Sequence, residues 1–299
     1  MTLLDSPALG GAGRTGTTVP RLIRAEIMKA RTTDVWWLFL IGFTVFTALA
    51  LTINGVGHHY QLYPPPHVPG QAVVVPDIGQ PASASTPTAI AASMMTSGQF
   101  LGVLFAMIAG ILLMTNEFAH HTAAATFVTV PRRGLVVGAK VAAAACVGGL
   151  FWLVGTFVSA VVTPFYLHSQ HVSAALTGWI VIRSVLLSLL AFVLWAVFGL
   201  GLGTVVRSQV AAVVGGILIY VGSDAGVQLI IHLIYNVYHH AWLLSASVIA
   251  PAVASNVMIT PGRAFPDAPP QWAGLAVLAG YCVVITTYGL RLTRSRDVT

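Results

Sequence analysis

The chain has very little charge. Of its 299 residues, 7% are Asp, Glu, Lys or Arg and 57% are hydrophobic, whereas a soluble domain carries about 25% charged residues. So few charges cannot cover a surface that faces water, and a mean hydropathy of +0.85 points the same way. The solvent read for this chain is lipid. Lysine is scarcer still: Lys29 and Lys140 are the only two. A P-loop needs G-x-x-x-x-G-K-[ST], because its Lys reaches the β/γ-phosphates. Met28 precedes Lys29 and Ala139 precedes Lys140, so neither can belong to such a loop. The expectation is a chain that is not itself an enzyme and carries no cofactor. The two cysteines, Cys146 and Cys282, each lie inside an apolar run. That argues against a disulfide framework and for buried small apolar side chains. No apolar run begins before Val35, which is too far in for the usual n-region of a cleavable signal peptide.

The little positive charge that exists is patterned. Ten of the twelve arginines and both lysines fall in four stretches: Arg14 to Arg31, Arg132 to Lys140, Arg207, and Arg291 to Arg296. Pairs of apolar segments separate them, which is the positive-inside pattern of a multi-pass membrane protein with both termini in the cytoplasm. The net charge of +6 does not read as nucleic-acid binding, because the charges sit at segment ends and form no stripe with interleaved aromatics. They suit the anionic headgroups of the cytoplasmic leaflet.

A membrane span needs roughly 20 mostly apolar residues. Six runs qualify, over about 35–53, 98–115, 141–163, 176–205, 210–231 and 272–290. The predicted fold class is therefore all-α, with six transmembrane helices in residues 35–299 behind a cytosolic tail over 1–34. Residues 54–95 are rich in Pro and His and nearly free of charge. They read as an extended extracellular loop, with a short helix near 89–95. In the stretch 232–271, the runs 241–250 and 253–259 are each too short to span and Pro251 parts them. They read as a re-entrant or interfacial hairpin on the outer side. Near the start, Pro20 suits a first helical turn. Leu22, Ile23, Ile27 and Ala30 then recur at helical spacing, with Arg24, Glu26 and Lys29 largely elsewhere on the wheel. This is an amphipathic interfacial helix leading into Trp36 and Trp37.

Three sets of residues carry resemblance to a family. Ala25-Glu26-Ile27-Met28-Lys29 precedes the first span. Asn116-Glu117-Phe118 runs through His120 and His121 to Thr122. Pro131-Arg132-Arg133 leads to Lys140. The arrangement resembles the ABC-2 type permeases, the transmembrane subunits of ABC exporters, where the pattern is aElxK, xxEyxxgT and PxRxxxxxxK; His121 stands where the family usually has Gly. The resemblance implies a multi-pass protein of a bacterial plasma membrane. It implies as partners an ABC ATP-binding subunit that holds ATP and Mg, and a second permease, the same chain or a sister chain, that helps enclose the path. The coupling segment would cover 116–134 and dock on the ATPase through Asn116, Glu117, Phe118, His120, His121, Thr122, Phe127, Arg132 and Arg133. A solvated loop held by topology alone is the plainer reading of that stretch.

The residues add chemistry of their own. Glu117 is expected near the N-terminal end of the coupling helix, where the dipole favours a carboxylate, with Arg132 and Arg133 free to pair with it or with lipid phosphates. Asp224 and Arg183 fall inside spans, where an isolated charge costs about 2.5–3.5 kcal/mol on insertion scales. They are expected to pair, either as a packing device or as the frame of an outer gate. Gly98 with Gly102, Gly199 with Gly201 and Gly203, and Gly222 with Gly226 are small-residue seams that serve packing within the chain as readily as dimerisation. The histidines read as interface-seated imidazoles rather than metal ligands. Phe105, Met107, Tyr220 and Gln228 are the expected path-lining residues, and largely apolar walls fit an amphiphilic cargo such as a drug, peptide or lipid. A secondary transporter is the rival reading; it would carry ion-coupling residues and inverted repeats, and of these only Asp224 is present. A structural or sensory membrane protein is the other alternative.

Overall fold

A computed structural model describes residues 28, 36–63, 86–119, 133–173, 176–206, 208–238, 240–262, 264–265 and 268–295. Long apolar runs without internal breakers can satisfy their backbone only as helices when water is absent, and most of the described residues are helical, with no strand among them. Helix α1 (Trp36–Leu62) is followed by α2 (Pro87–Met95) and α3 (Gln99–Ala119). Then come α4 (Arg133–Ser169) and α5 (Trp179–Val205). Helix α6 (Gln209–Val221) continues through a π-helical turn, Gly222–Gly226, into α7 (Val227–Tyr238). Short helices α8 (Ala241–Ala246) and α9 (Pro251–Ile259) precede the last helix, α10 (Gln271–Ser295). Six helical stretches are long and apolar enough to cross a membrane, the build of a multi-pass membrane protein: Trp36–Leu62, Pro87–Glu117, Val137–Ser169, Trp179–Val205, Gln209–Tyr238 and Gln271–Gly289. At 1.5 Å per residue the 37 residues of α4 reach about 55 Å, well beyond an apolar slab of about 30 Å.

Helix α5 is the hub. Helices α2, α3, α4, α9 and α10 all pack on it, and its buried side runs from Val181 to Gly203. Trp195 is wholly buried there and meets Phe198 and Tyr220 edge-on at 5.6 and 5.2 Å. In the same core Phe43 of α1 sits among Phe151, Phe105 and Phe192 with ring centroids 5.2 to 6.1 Å apart. Edge-to-face geometry of this kind adds about 0.5–1.5 kcal/mol per pair beyond burial. Between α3 and α5 the backbones touch. A Cβ at Gly110 would land on the carbonyl oxygen of Ala196, and one at Gly199 on that of Met107. Without a hydrophobic drive between helices in lipid, this close approach is how they hold.

Two expectations are corrected here. The 54–95 stretch does not begin as loop, because α1 continues to Leu62; the short helix expected near 89–95 is present as Pro87–Met95, but with Ala89, Ile90, Ala91, Ala92 and Met94 buried rather than on a surface loop. Thr86 caps α2, its Oγ1 accepting from the Ala89 amide at 3.3 Å, and Pro87 fits the first turn. An uncharged alanine-rich helix has no polar face to hold it at a surface, so it packs against α1, α4 and α5. The cysteines also divide: Cys282 is buried and Cys146 is exposed on α4, both as free thiols. The two short helices around Pro251 do occur, bent by 105°. Helix α9 is apolar on nearly every side, which buries a helix, and it lies inside the bundle against α5, α6 and α10.

Candidate functional site

Two polar centres stand out in this apolar bundle. The first is at the end of the molecule where α3 stops and α4 starts. Glu117 lies in the last turn of α3, and its Oε1 is 2.7 Å from Nζ of Lys140 on α4. Both residues are almost fully buried, 5% and 2% exposed. The expectation that Glu117 opens a separate helix is therefore wrong. It closes α3, where the dipole opposes a carboxylate, and the buried ammonium of Lys140 compensates. A buried pair is favourable only when both charges are present, because removing one strands the other. The pair joins α3 to α4; residues 120–132 between these helices lie outside the described residues.

The second centre is a polar clasp around α9. The Gln99 side chain at the start of α3 donates to Ser255 Oγ at 3.1 Å, and the Trp195 indole N–H of α5 donates to the same oxygen at 3.2 Å. Ser223 Oγ, in the π-turn, accepts from the Ala252 amide at 3.3 Å and donates to the Tyr220 carbonyl at 3.0 Å. The Tyr220 hydroxyl donates to the Phe100 carbonyl of α3. At the same turn Asp224 Oδ1 accepts from Gln228 Nε2 at 3.2 Å and from Asn256 Nδ2 at 3.5 Å. Helix α9 is thus bonded to α3 through Gln99, to α5 through Trp195, and to the π-turn through Ser223 and Asp224. Tyr281 of α10 reaches the Ile249 carbonyl at 3.0 Å and ties the bend itself. A hydrogen bond in a site with no water to replace it is costly to lose.

The predicted site residues fall as follows. Asn116, Glu117 and Phe118 end α3, and Arg133 begins α4. His120, His121, Thr122, Phe127 and Arg132 lie outside the described residues, as do Arg24, Glu26 and Lys29 of the interfacial helix. The structure does not bring Arg183 and Asp224 together. Arg183 is exposed near the start of α5, and Asn256 of α9 fills the place beside the Asp224 carboxylate. Of the path candidates, Met107 and Tyr220 are 0% and 5% exposed in the closed core. Phe105 is half-buried among Phe39, Phe43 and Phe46, and Gln228 lies on the exposed side holding Asp224. The four do not share one surface. The seams divide too: Gly199, Gly201 and Gly203 meet Met107, Ile285 and Ile111 within the chain, whereas Gly222 and Gly226 face open space. Among the histidines, His58 is buried and His59 Nδ1 lies 2.8 Å from Gln170 Oε1 across α1 and α4.

Gln99, Trp195, Ser223, Ser255 and Asn256 escaped the sequence reading. The signal available was that a lone polar side chain in an apolar span usually faces the bundle interior. No protein-family model and no curated protein matches this chain.

Proposed function

We propose that the chain is the permease subunit of an ABC-2 type exporter in a bacterial plasma membrane. Two permeases form the path for an amphiphilic cargo, and separate ATP-binding subunits drive it. Both termini and the Glu117–Lys140 end face the cytoplasm in this reading, and the bend of α8 and α9 faces outward. The observation that carries it is the ion pair. Glu117 belongs to the second family-like motif and Lys140 ends the third; they stand on successive helices and meet at 2.7 Å in an apolar setting. A coupling element must pass force into the spans rather than flex by itself. The pair ties α3 to α4, the two helices that flank residues 120–132, and both helices bear on the hub α5. A displacement of the segment then moves α3 and α4 as a unit. Backbone contact at Gly110 and Gly199 passes it to α5 without soft side chains between. From α5 and α3, the Gln99–Ser255–Trp195 bonds carry it to α9.

The test is copurification. The chain, tagged and extracted from native membranes in mild detergent, is expected to bring down a protein with a P-loop. Recovery of the chain in good yield without any nucleotide-binding protein would favour a secondary transporter or a structural role. Alanine at Phe127 or Arg132 is expected to leave the fold intact and to part ATP hydrolysis from transport in the copurified complex.

A further inference from the structure

Ten of the twelve arginines lie in the four stretches that read as cytoplasmic, and Arg183 is one of the two that do not. It stands four residues into α5, about 6 Å along the helix from Trp179. The 27 residues of α5 reach about 40 Å, about 10 Å more than the apolar slab, so this first turn lies at the slab's edge. A second indole gives the same level. Cys282 of α10 donates to the Leu194 carbonyl of α5 at 3.0 Å, and Gly201 meets Ile285 while Gly289 meets Thr204, so the two helices run parallel. Ten residues back from the Cys282–Leu194 bond stand Trp272 on α10 and Ser184 on α5, the neighbour of Arg183. Trp179 and Trp272 are 70% and 69% exposed, as indoles are where hydrocarbon meets headgroups. The surface around Arg183 is aliphatic, with Ile180, Ile182 and Leu186 all exposed. Arg183 is exposed too, and it makes no hydrogen bond or ion pair with another described residue. The two described carboxylates are engaged elsewhere, Glu117 with Lys140 and Asp224 with Gln228 and Asn256.

We infer that Arg183 binds the phosphate of an anionic phospholipid, in the leaflet at the N-terminal end of α5. A guanidinium keeps its charge, and at the end of a span it escapes the cost of hydrocarbon by extending along its stem to the headgroups. Its N–H donors form a planar fork that matches two oxygens of a phosphodiester. The aliphatic residues around it then lie against the start of the acyl chains. Free phosphate meets the same fork but gains nothing from that rim. The charge balance of this end selects the headgroup. An ammonium headgroup brings a second cation beside Arg183, and no described carboxylate is there to hold it; phosphatidylglycerol brings the anion alone. In the topology proposed above the leaflet is the outer one, and the site itself does not rest on the exporter reading.

The test reads lipid selectivity beside the residue. The full-length chain carrying Ile182→Cys and Cys146→Ala is labelled with bimane, Cys282 being buried, and reconstituted in mixed bilayers of phosphatidylcholine and phosphatidylglycerol. Quenching by brominated chains on one lipid or the other gives their relative affinity at that point. With Arg183 in place, phosphatidylglycerol should be preferred about fivefold. Arg183→Lys should keep most of the preference, and Arg183→Leu should bring it to unity. The same label at Val283→Cys, exposed midway along α10, should show none. Molar salt should weaken the preference, which decides the matter if Arg183→Leu does not fold. Inorganic phosphate added at fixed ionic strength should leave it unchanged. Equal quenching by both lipids, a preference that survives Arg183→Leu or molar salt, an equal preference at position 283, or its loss to free phosphate would overturn the site. None of these results bears on whether a P-loop protein copurifies, so the two proposals fail separately.

Discussion

At the scale of single residues, the chain spends its few charges where they cannot be neutral in effect. Glu117 and Lys140 are both out of water and 2.7 Å apart. Glu117→Gln or Lys140→Met alone takes away the partner at 2.7 Å of a buried charge, and breaking a buried pair costs about 3–5 kcal/mol. The double change removes both and is expected to be nearer the wild type than either single variant. Chemical unfolding in detergent, read as a double-mutant cycle, measures this; additive single effects would mean that the pair does not couple. Ser255 is the matching case without charge. Ser255→Ala leaves Gln99 and Trp195 without their shared acceptor, and about 1–3 kcal/mol of destabilisation is expected. These residue-level facts were only partly legible in the sequence. Glu117 stood out as a motif member. So did Lys140, but their pairing did not, because nothing local says that α3 runs through to Ala119 and so places the carboxylate opposite Lys140. Asp224 was legible as an intramembrane acid, but a wheel drawn for a regular helix cannot foresee a π-helical turn. That turn and Asn256 together set what the carboxylate meets.

At the scale of elements, the spans were the legible part. Each is a long apolar run, and in lipid such a run has one way to satisfy its backbone. The runs read at 35–53, 176–205 and 272–290 reappear within α1, α5 and α10, lengthened or shifted at the ends. Helix α2 was read as a short helix within an extended loop because prolines and low charge surround it. Its burial depends on the α1, α4 and α5 surfaces that receive it, and that information is spread over the whole chain. The same holds for the glycines. The sequence offered several seams, and only the fold tells Gly199, in backbone contact with α3, from Gly222, in open space. Gly199→Val is expected to drive α3 and α5 apart and cost about 1–3 kcal/mol. Gly149→Ala and Gly280→Ala, where a Cβ meets nothing within 4 Å, should be neutral or stabilising by up to about 1 kcal/mol. Thermal unfolding of the three variants side by side checks the distinction, and equal losses would show that the seam is not where the helices hold.

At the scale of the whole molecule, the buried Glu117–Lys140 pair and the bonded helical bend of α8 and α9 are linked through α5. The six-span build follows from composition and is carried by the helices themselves. The direction of the chain in the membrane and the identity of its engine come from charge placement and from motif resemblance. The measurement that tests the central claim most directly is site-specific photocrosslinking from position 127, with a benzoylphenylalanine in place of Phe127, in intact native membranes. The account predicts an adduct with a P-loop ATPase, formed on the cytoplasmic side. Good expression of the chain with no nucleotide-binding protein in any adduct, or reaction of that position only from outside sealed cells, would contradict it.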